Sequence, residues 1–179
     1  MRLQVNEAVY VSEIEAGDKA AYLVHLKEKE ISDNTLNIPY PYTEKDADWW
    51  LAHVAEQTHE RGRSVNWAVR RQDGYLIGGI GFMDLHIGKS HKAEIGYWLA
   101  KPYWGQGIMT ATVKNVCDYA FAELTVVRIT ANVFAFNARS ARVLEKAGFQ
   151  LEGLLRKHYV KDGRMVDGKM YALLKAGME

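Results

Sequence analysis

The residues best suited to chemistry form a short run, Trp104-Gly105-Gln106-Gly107, followed at once by the helical pattern that begins Ile108-Met109-Thr110. Glycine permits a tight backbone turn and a close approach to a ligand. The first turn of a helix offers backbone N–H groups with no intrahelical acceptor, at the positive end of the helix dipole, so such a turn can hold phosphate. Glycine turns before helices are also ordinary connections, and these residues alone leave both readings standing. Cys117 is the one cysteine, and its spacing from Val113, Val116, Ala120 and Phe121 puts it on an apolar helix face, where a thiol packs rather than reacts. No zinc spacing, catalytic triad motif or P-loop is present, so no metal is required.

The elements that must position this turn can be read from periodicity. Ile95 to Ala100 is an apolar, strand-like run ending at Lys101-Pro102, and from Gly107 onward apolar residues recur every three or four positions, as a core-facing helix requires. Leu124 to Phe134, with its β-branched residues, follows as a strand, and the order strand, helix, strand permits a parallel crossover. Upstream, Leu3 to Ile14 reads as one strand. Gly17-Asp18 then stops it and caps a short helix carrying Ala21, Tyr22, His25 and Leu26. Ser32 to Tyr42, broken by Pro39 and Pro41, reads as a loop. Thr43 and Asp46 form a capping pattern for a helix through about Gly62 that carries Trp49 and Trp50. Ser64–Arg71 and Tyr75–Leu85 flank Gln72-Asp73-Gly74, a hairpin signal, with Ala93–Ala100 as a third antiparallel strand. Gly78, Gly79 and Gly81 in the middle strand imply a bulge or a close neighbour. Asn137 to Ala147 is a second amphipathic helix with Gly148 as its left-handed cap, and strands at Phe149–Val160 and Met165–Leu174 close the chain around Lys161–Arg164. The result is an α+β, layered architecture: a mixed, mostly antiparallel central sheet of about seven strands with about four helices.

A chain of 179 residues, 48% hydrophobic, suits a single domain over 1–179. The formal net charge of +1 supplies no broad basic field, so nucleic acid is a poor partner and any polyanion must be held locally. No signal-peptide core or membrane-length apolar run appears, and a lone cysteine suits a reducing compartment, so a cytoplasmic, membrane-independent protein is expected. The oligomeric state stays open, a homodimer included.

Two segments and their spacing go further. EIGYWLAKPYWGQGIMTATV resembles the acetyl-CoA-binding segment of the GCN5-related N-acetyltransferase (GNAT) superfamily, and NARSARVLEKAGFQLEG resembles the helix and strand that follow it there. The likeness extends over nearly the whole chain and is closest to the ribosomal-protein, RimJ/RimL-like branch. It implies acetyl-CoA as cosubstrate, with its pyrophosphate on main-chain N–H groups from Gly105 through Gln106, Gly107, Ile108 and Met109 to Thr110. Trp104 and Met109 depart from the superfamily pattern, which has a polar residue and a small one there. The resemblance also implies that the strand before the turn splays from its parallel neighbour, so that backbone groups of Trp98 and Leu99 pair with the pantetheine arm. Asn137 matches an asparagine that bonds the same arm, and it also reads as a plain helix N-cap.

Acetyl transfer to an amine needs a neutral nitrogen, a site for the developing oxyanion and a proton for the departing thiolate. Glu94, on the strand leading into the turn, is the first candidate base, since related enzymes place a carboxylate there acting through water; otherwise it is a surface glutamate. His158, on the penultimate strand, titrates in a useful range and is the second; Asp84 is a reserve. The tyrosine that many relatives use as acid falls at Leu144, so Ser140 takes that role in the RimL-like pattern, or is an ordinary helix-start serine. Backbone N–H groups near Leu99 would polarise the acetyl carbonyl. Arg139 and Arg142 are either contacts to the outer phosphates or solvated helix residues. Tyr40, Tyr42, Trp49 and Trp50 are candidates to wall the acceptor cleft. The expected activity is direct acetylation of a primary amine, foremost a protein N-terminal α-amine. Polyamine or antibiotic acetylation, and a non-catalytic acyl-CoA-binding domain, are the alternatives.

Overall fold

The computed structural model describes residues 2–83, 85 and 88–177 of the chain. Its first strand pair is β1 (Arg2–Gln4) and β2 (Val9–Glu13), where the alternation predicted one strand. The break lies at Asn6, whose Oδ1 accepts the N–H groups of Ala8 and Val9, both at 2.9 Å, an Asx turn that folds the chain back on itself. Helices α1 (Lys19–His25), α2 (Lys29–Asp33) and α3 (Glu44–Arg61) follow. α2 lies partly in the stretch read as loop; Asn34 and Thr35 close it by donating to the carbonyls of Glu30 and Ile31. α3 starts and stops as its sequence dictates. Thr43 and Asp46 form a reciprocal capping box, and Gly62 ends the helix in the left-handed conformation at φ 69°.

Strands β3 (Asn66–Arg71), β4 (Leu76–Met83) and β5 (Lys92–Leu99) come next, then α4 (Ile108–Glu123), β6 (Arg128–Phe134), α5 (Ala138–Lys146), β7 (Gln150–Lys161) and β8 (Arg164–Leu174). β6 starts later than its β-branched run because Thr125 turns through a left-handed φ of 57° after α4. The strands form one sheet in the order β1-β2-β3-β4-β5-β6-β8-β7. It is mostly antiparallel; β5 and β6 are parallel, with Lys92, Ala93 and Glu94 opposite Arg128, Ile129 and Thr130. The described chain thus has eight strands and five α-helices, one strand more than predicted because the first divides, and one helix more because of α2.

The chain divides into two compact units. The first comprises Met1–Gly81 and Tyr97–Ile108. Its core joins Tyr22, Leu26, Ile31, Tyr42, Ala47, Ala68 and Leu76, with Trp50, Trp98 and Trp104 packed against it. The glycines of β4 are explained by Trp98: a Cβ on Gly78 would lie 2.6 Å from the Trp98 carbonyl oxygen, and one on Gly79 2.6 Å from the indole nitrogen. β3 also bulges against β4 between Val69 and Arg70. A buried ion pair locks β3 to the segment before α1. Arg70 donates from Nη1 and Nη2 to the two Asp18 oxygens at 2.6 and 2.8 Å, and further to Ser12 Oγ and the Gly74 and Glu13 carbonyls. The Asp18 carboxylate also accepts the Glu15 N–H at 2.7 Å, capping the 3-10 turn over Ala16–Asp18 that leads into α1, and it makes no side-chain capping bond to α1 itself.

The second unit comprises Phe82–Gly96 and Met109–Glu179. Ile129 and Ala131 of β6 and Tyr171 of β8, which is paired with Ala131, share one face and are buried. α5 lies over that face, since Tyr171 donates its hydroxyl hydrogen to Glu145 at 3.1 Å. Val113, Val116, Cys117 and Ala120 of α4 are fully buried. The opposite face carries Glu94, Thr130, Asn132 and Phe134.

Candidate active site

β5 ends at Leu99, and a single 3-10 turn over Lys101–Tyr103, with Pro102 in its first turn, redirects the chain into Trp104. Gly105 and Gly107 then both take left-handed backbone conformations, at φ 75° and 76°. A Cβ at either would meet nothing within 4 Å, so these glycines are demanded by conformation and not by crowding. Left-handed residues set into such a turn gather main-chain N–H groups into a concavity suited to an anion, and the 16-residue helix α4 adds its dipole at the same place. The turn is braced by side chains. Trp104 donates its indole N–H to the Leu99 carbonyl at 2.7 Å, and Gln106 donates Nε2–H to the Pro102 carbonyl at 2.9 Å. Ile108 and Met109 are buried, at 7% and 5% exposure, so the methionine in the place of a small residue is taken up by the core. Thr110 is half-buried.

Along β5 the main chain is partly spoken for on its β4 side, where the Ala100 N–H donates to the Ile77 carbonyl at 2.8 Å. Trp98 itself is a packing residue, its ring centroid 5.7 Å from that of Tyr22 and 6.4 Å from that of His25. A surface cleft of about 410 Å³ in the same unit borders the turn, with Arg71, Tyr103, Gln106 and Ile108 among its lining. The aromatics expected to wall an acceptor cleft divide. Trp50 donates to the Tyr22 hydroxyl at 3.1 Å and Tyr42 is buried, whereas Tyr40 and Trp49 are 52% and 64% exposed, Trp49 lying flat on His53 at 4.9 Å.

In the second unit, Glu94 stands at the last paired level of the parallel ladder, opposite Thr130. Thr130 donates its hydroxyl hydrogen to the Ala93 carbonyl at 3.4 Å. Tyr159 belongs to the same face. Its ring lies over Gly168, where a Cβ would come within 2.7 Å of it, and meets Phe134 edge-on at 5.3 Å. Burial, and then the Glu94 carboxylate, push the Tyr159 phenol above its ordinary value, so it stays protonated. Asn137 caps α5, its Oδ1 accepting the Ser140 N–H at 3.1 Å, which places Ser140 in the first turn of that helix. His158 stands on an exposed bulge of β7 made by Lys157 at φ 50°, whose N–H donates to Asp167, and its ring packs edge-on against Tyr159 at 4.6 Å. Arg139 and Arg142 are exposed. Burial drives the Cys117 thiol upward, which fits a packing role. Asp84 lies outside the described residues.

Thr130, Asn132 and Tyr159 share this face with Glu94, and the sequence motifs do not single them out. The signal was there, because Arg128, Thr130 and Asn132 alternate with Ile129, Ala131 and Val133, which marks a polar face on β6. Among the described residues, no group of three or more His, Cys, Asp and Glu could hold a metal ion, and no helix is long and apolar enough to cross a membrane.

Known proteins share sequence and fold with this chain. YoaA of Bacillus subtilis, an uncharacterized N-acetyltransferase, is 37% identical over 118 residues, covering 65% of this chain and 66% of its own. YjcK of the same organism, a probable N-acetyltransferase, is 45% identical over 102 residues, covering 57% of this chain and 56% of its own. The matched stretches thus span between about half and two-thirds of these relatives' length. Among solved structures, RimL, a ribosomal L7/L12 α-N-protein acetyltransferase in complex with coenzyme A, has the same fold, with a TM-score of 0.87 at 19% identity over 97% of this chain and 98% of that one. The model of the acetyltransferase (GNAT) domain matches residues 9–150, and the chain belongs to that family.

Proposed function

We propose that this chain is an acetyl-CoA-dependent N-acetyltransferase that moves acetyl directly to a primary amine, with a protein N-terminal α-amine as the favoured acceptor. The observation that carries the reading is the pair of left-handed glycines, Gly105 and Gly107, heading α4 in a chain of this family. The N–H groups from Gly105 to Thr110 suit a pyrophosphate, and the RimL structure of the same fold is a coenzyme A complex.

The acetyl thioester supplies the activated carbonyl. Glu94 accepts the proton that the amine must lose, directly or through a water, and Ser140 gives the departing sulfur a hydrogen bond, with His158 as the second candidate base. An α-amine has a pKa of about 7.7–8.0 against about 10.4 for a lysine side chain, so it needs far less help from a base and suits a site with one carboxylate. A second reading, an acyl-CoA-binding domain without turnover, draws on Leu144. It occupies the position of the relatives' acidic tyrosine and is fully buried in the core.

The two are separated by incubating the protein with acetyl-CoA and a broad panel of free-amine peptides, polyamines and aminoglycosides, following thiol release and locating the added acetyl by mass. Acetylated α-amine is the expected product. Tight acetyl-CoA binding with no product from any acceptor would leave the binding-domain reading in its place.

A further inference from the structure

Asn132 has one property that sets it apart: among the described residues, its Oδ1 is the buried side-chain oxygen with no hydrogen-bond partner. A buried carbonyl without a donor is costly and uncommon in folded proteins, and a ligand is one of the few things that repay it. Its position narrows which ligand. The parallel ladder ends at Glu94 and Thr130, and Asn132 is the next residue of β6 on the same face. Thr130 has already given its hydroxyl hydrogen to the Ala93 carbonyl, so its oxygen can only accept further bonds. An ionised Glu94 is likewise acceptor-only. Three acceptors therefore follow one another on one face, separated by about 5–7 Å of backbone, a distance side chains close easily.

The Asn132 oxygen is the one that lacks a donor, and the carboxylate on the same face favours a donor that carries positive charge. A primary ammonium has three N–H groups in tetrahedral array. Phe134 and Tyr159, edge to face at 5.3 Å, stand on the same face and suit a cation. The cover is movable. Met83 is 40% exposed and lays its Cε 3.2 Å from where a Cβ on Gly96 would sit, Gly96 being the residue of β5 after Glu94 on this face; half-buried Met170 is paired with Asn132 itself. Unbranched thioethers re-pack at little cost, so an entering amine can displace them.

We propose that Asn132 Oδ1 receives an N–H of the acceptor amine, and that Glu94, Thr130 and Asn132 together form an ammonium-docking site selective for unsubstituted primary amines. This rests on the acetyltransferase reading for its chemistry but not for its binding. One ammonium proton leaves to Glu94, Asn132 holds a remaining N–H, and the nitrogen lone pair is then aimed at the acetyl carbon. The C–N bond forms as the C–S bond breaks, the acylated nitrogen sheds a second proton, and the thiolate takes that proton up.

The test uses the whole protein with coenzyme A bound. The side-chain amide signals of Asn132, identified by their loss in Asn132→Leu, are followed by NMR while a panel of free-amine tripeptides and putrescine is added, with Nα-acetylated and N,N-dimethylated peptides as controls. Free primary amines should move these signals, and the controls should not. In turnover, Asn132→Leu should raise KM for the amine about tenfold while leaving acetyl-CoA affinity within about twofold. Its melting temperature without ligand should not fall, because an unpartnered oxygen has been removed. Signals that no free amine moves, or that the acetylated peptide moves equally, would overturn the inference. So would a loss of acetyl-CoA affinity with amine KM unchanged. Amine-dependent shifts in a wild-type protein that acetylates nothing would support the docking site and overturn the catalytic reading.

Discussion

The Trp104 indole N–H donates to the Leu99 carbonyl at 2.7 Å, tying the last residue of β5 to the residue that opens the glycine turn. Where the superfamily pattern has a polar side chain, this protein uses a large ring packed against the first unit's core and keeps one N–H for the backbone. Replacing Trp104 by Phe retains most of the packing and removes that donor. Losing one hydrogen bond of about 1 kcal/mol should weaken acetyl-CoA binding about fivefold by calorimetry. An unchanged dissociation constant would show that the turn holds its shape without this tie.

Glycine substitutions should separate conformation from crowding. Gly107→Ala meets no neighbour but must hold a φ of 76°, costing about 1–2 kcal/mol and weakening the cofactor site. Gly78→Ala would press a methyl to 2.6 Å from the Trp98 carbonyl oxygen, a backbone atom that cannot step aside, so its main effect is on stability, about 1–3 kcal/mol. Denaturant melts and cofactor titrations of both variants check this. Equal effects of the two on binding and stability would refute the distinction.

Arg70 and Asp18 are 5% and 7% exposed and joined by two hydrogen bonds, so neither charge can be stranded cheaply. Asp18→Leu or Arg70→Met alone should cost about 3–5 kcal/mol, and the double variant carrying both should recover a good part of it. Urea midpoints measure the cycle, and additive losses would contradict it.

His25 is buried, and its Nε2 lies 3.1 Å from the Leu76 carbonyl, which can only accept, so the neutral ring carries its proton on Nε2. Burial holds its pKa below the ordinary 6.5, the Leu76 bond opposing this only in part. The unfolded chain therefore takes up the proton first. The stabilisation is whole above about pH 6.5 and is lost as pH falls from there towards the folded value. Stability should decline between neutral and mildly acidic pH, and His25→Gln should lessen that slope by up to about 1.4 kcal/mol per pH unit. Identical slopes would remove His25 as the cause.

Glu94→Gln keeps the size of the side chain and removes the proposed base. Acetylation near neutral pH should fall about 10²-fold or more, with partial recovery at alkaline pH as the amine deprotonates unaided. Retention of the wild-type rate and pH profile would shift the role to His158.

Local patterns carried much of the fold. The Thr43–Asp46 capping box, the Asp73-Gly74 hairpin, the Gly148 cap and the Asp162-Gly163 turn each depend on a few adjacent residues, and the structure has them all. The first strand was misread because Asn6 breaks it through its own side chain, which alternation does not register. Asn137 was legible both as cap and as motif residue, and the structure supplies the cap.

By itself, then, the sequence determined the glycine turn, the helix behind it and the family, because backbone conformation and periodicity are written in neighbouring residues. Tertiary structure alone decided which residues meet across strands. It put Trp98 against the β4 glycines, spent Asp18 on Arg70, carried Tyr159 over Gly168, and left Asn132 with a buried oxygen beside the Glu94 level of the sheet. The physical reason is register. A strand's partner, and the donor or acceptor that it does or does not supply, lies tens of residues away in the chain and is fixed only when the sheet assembles.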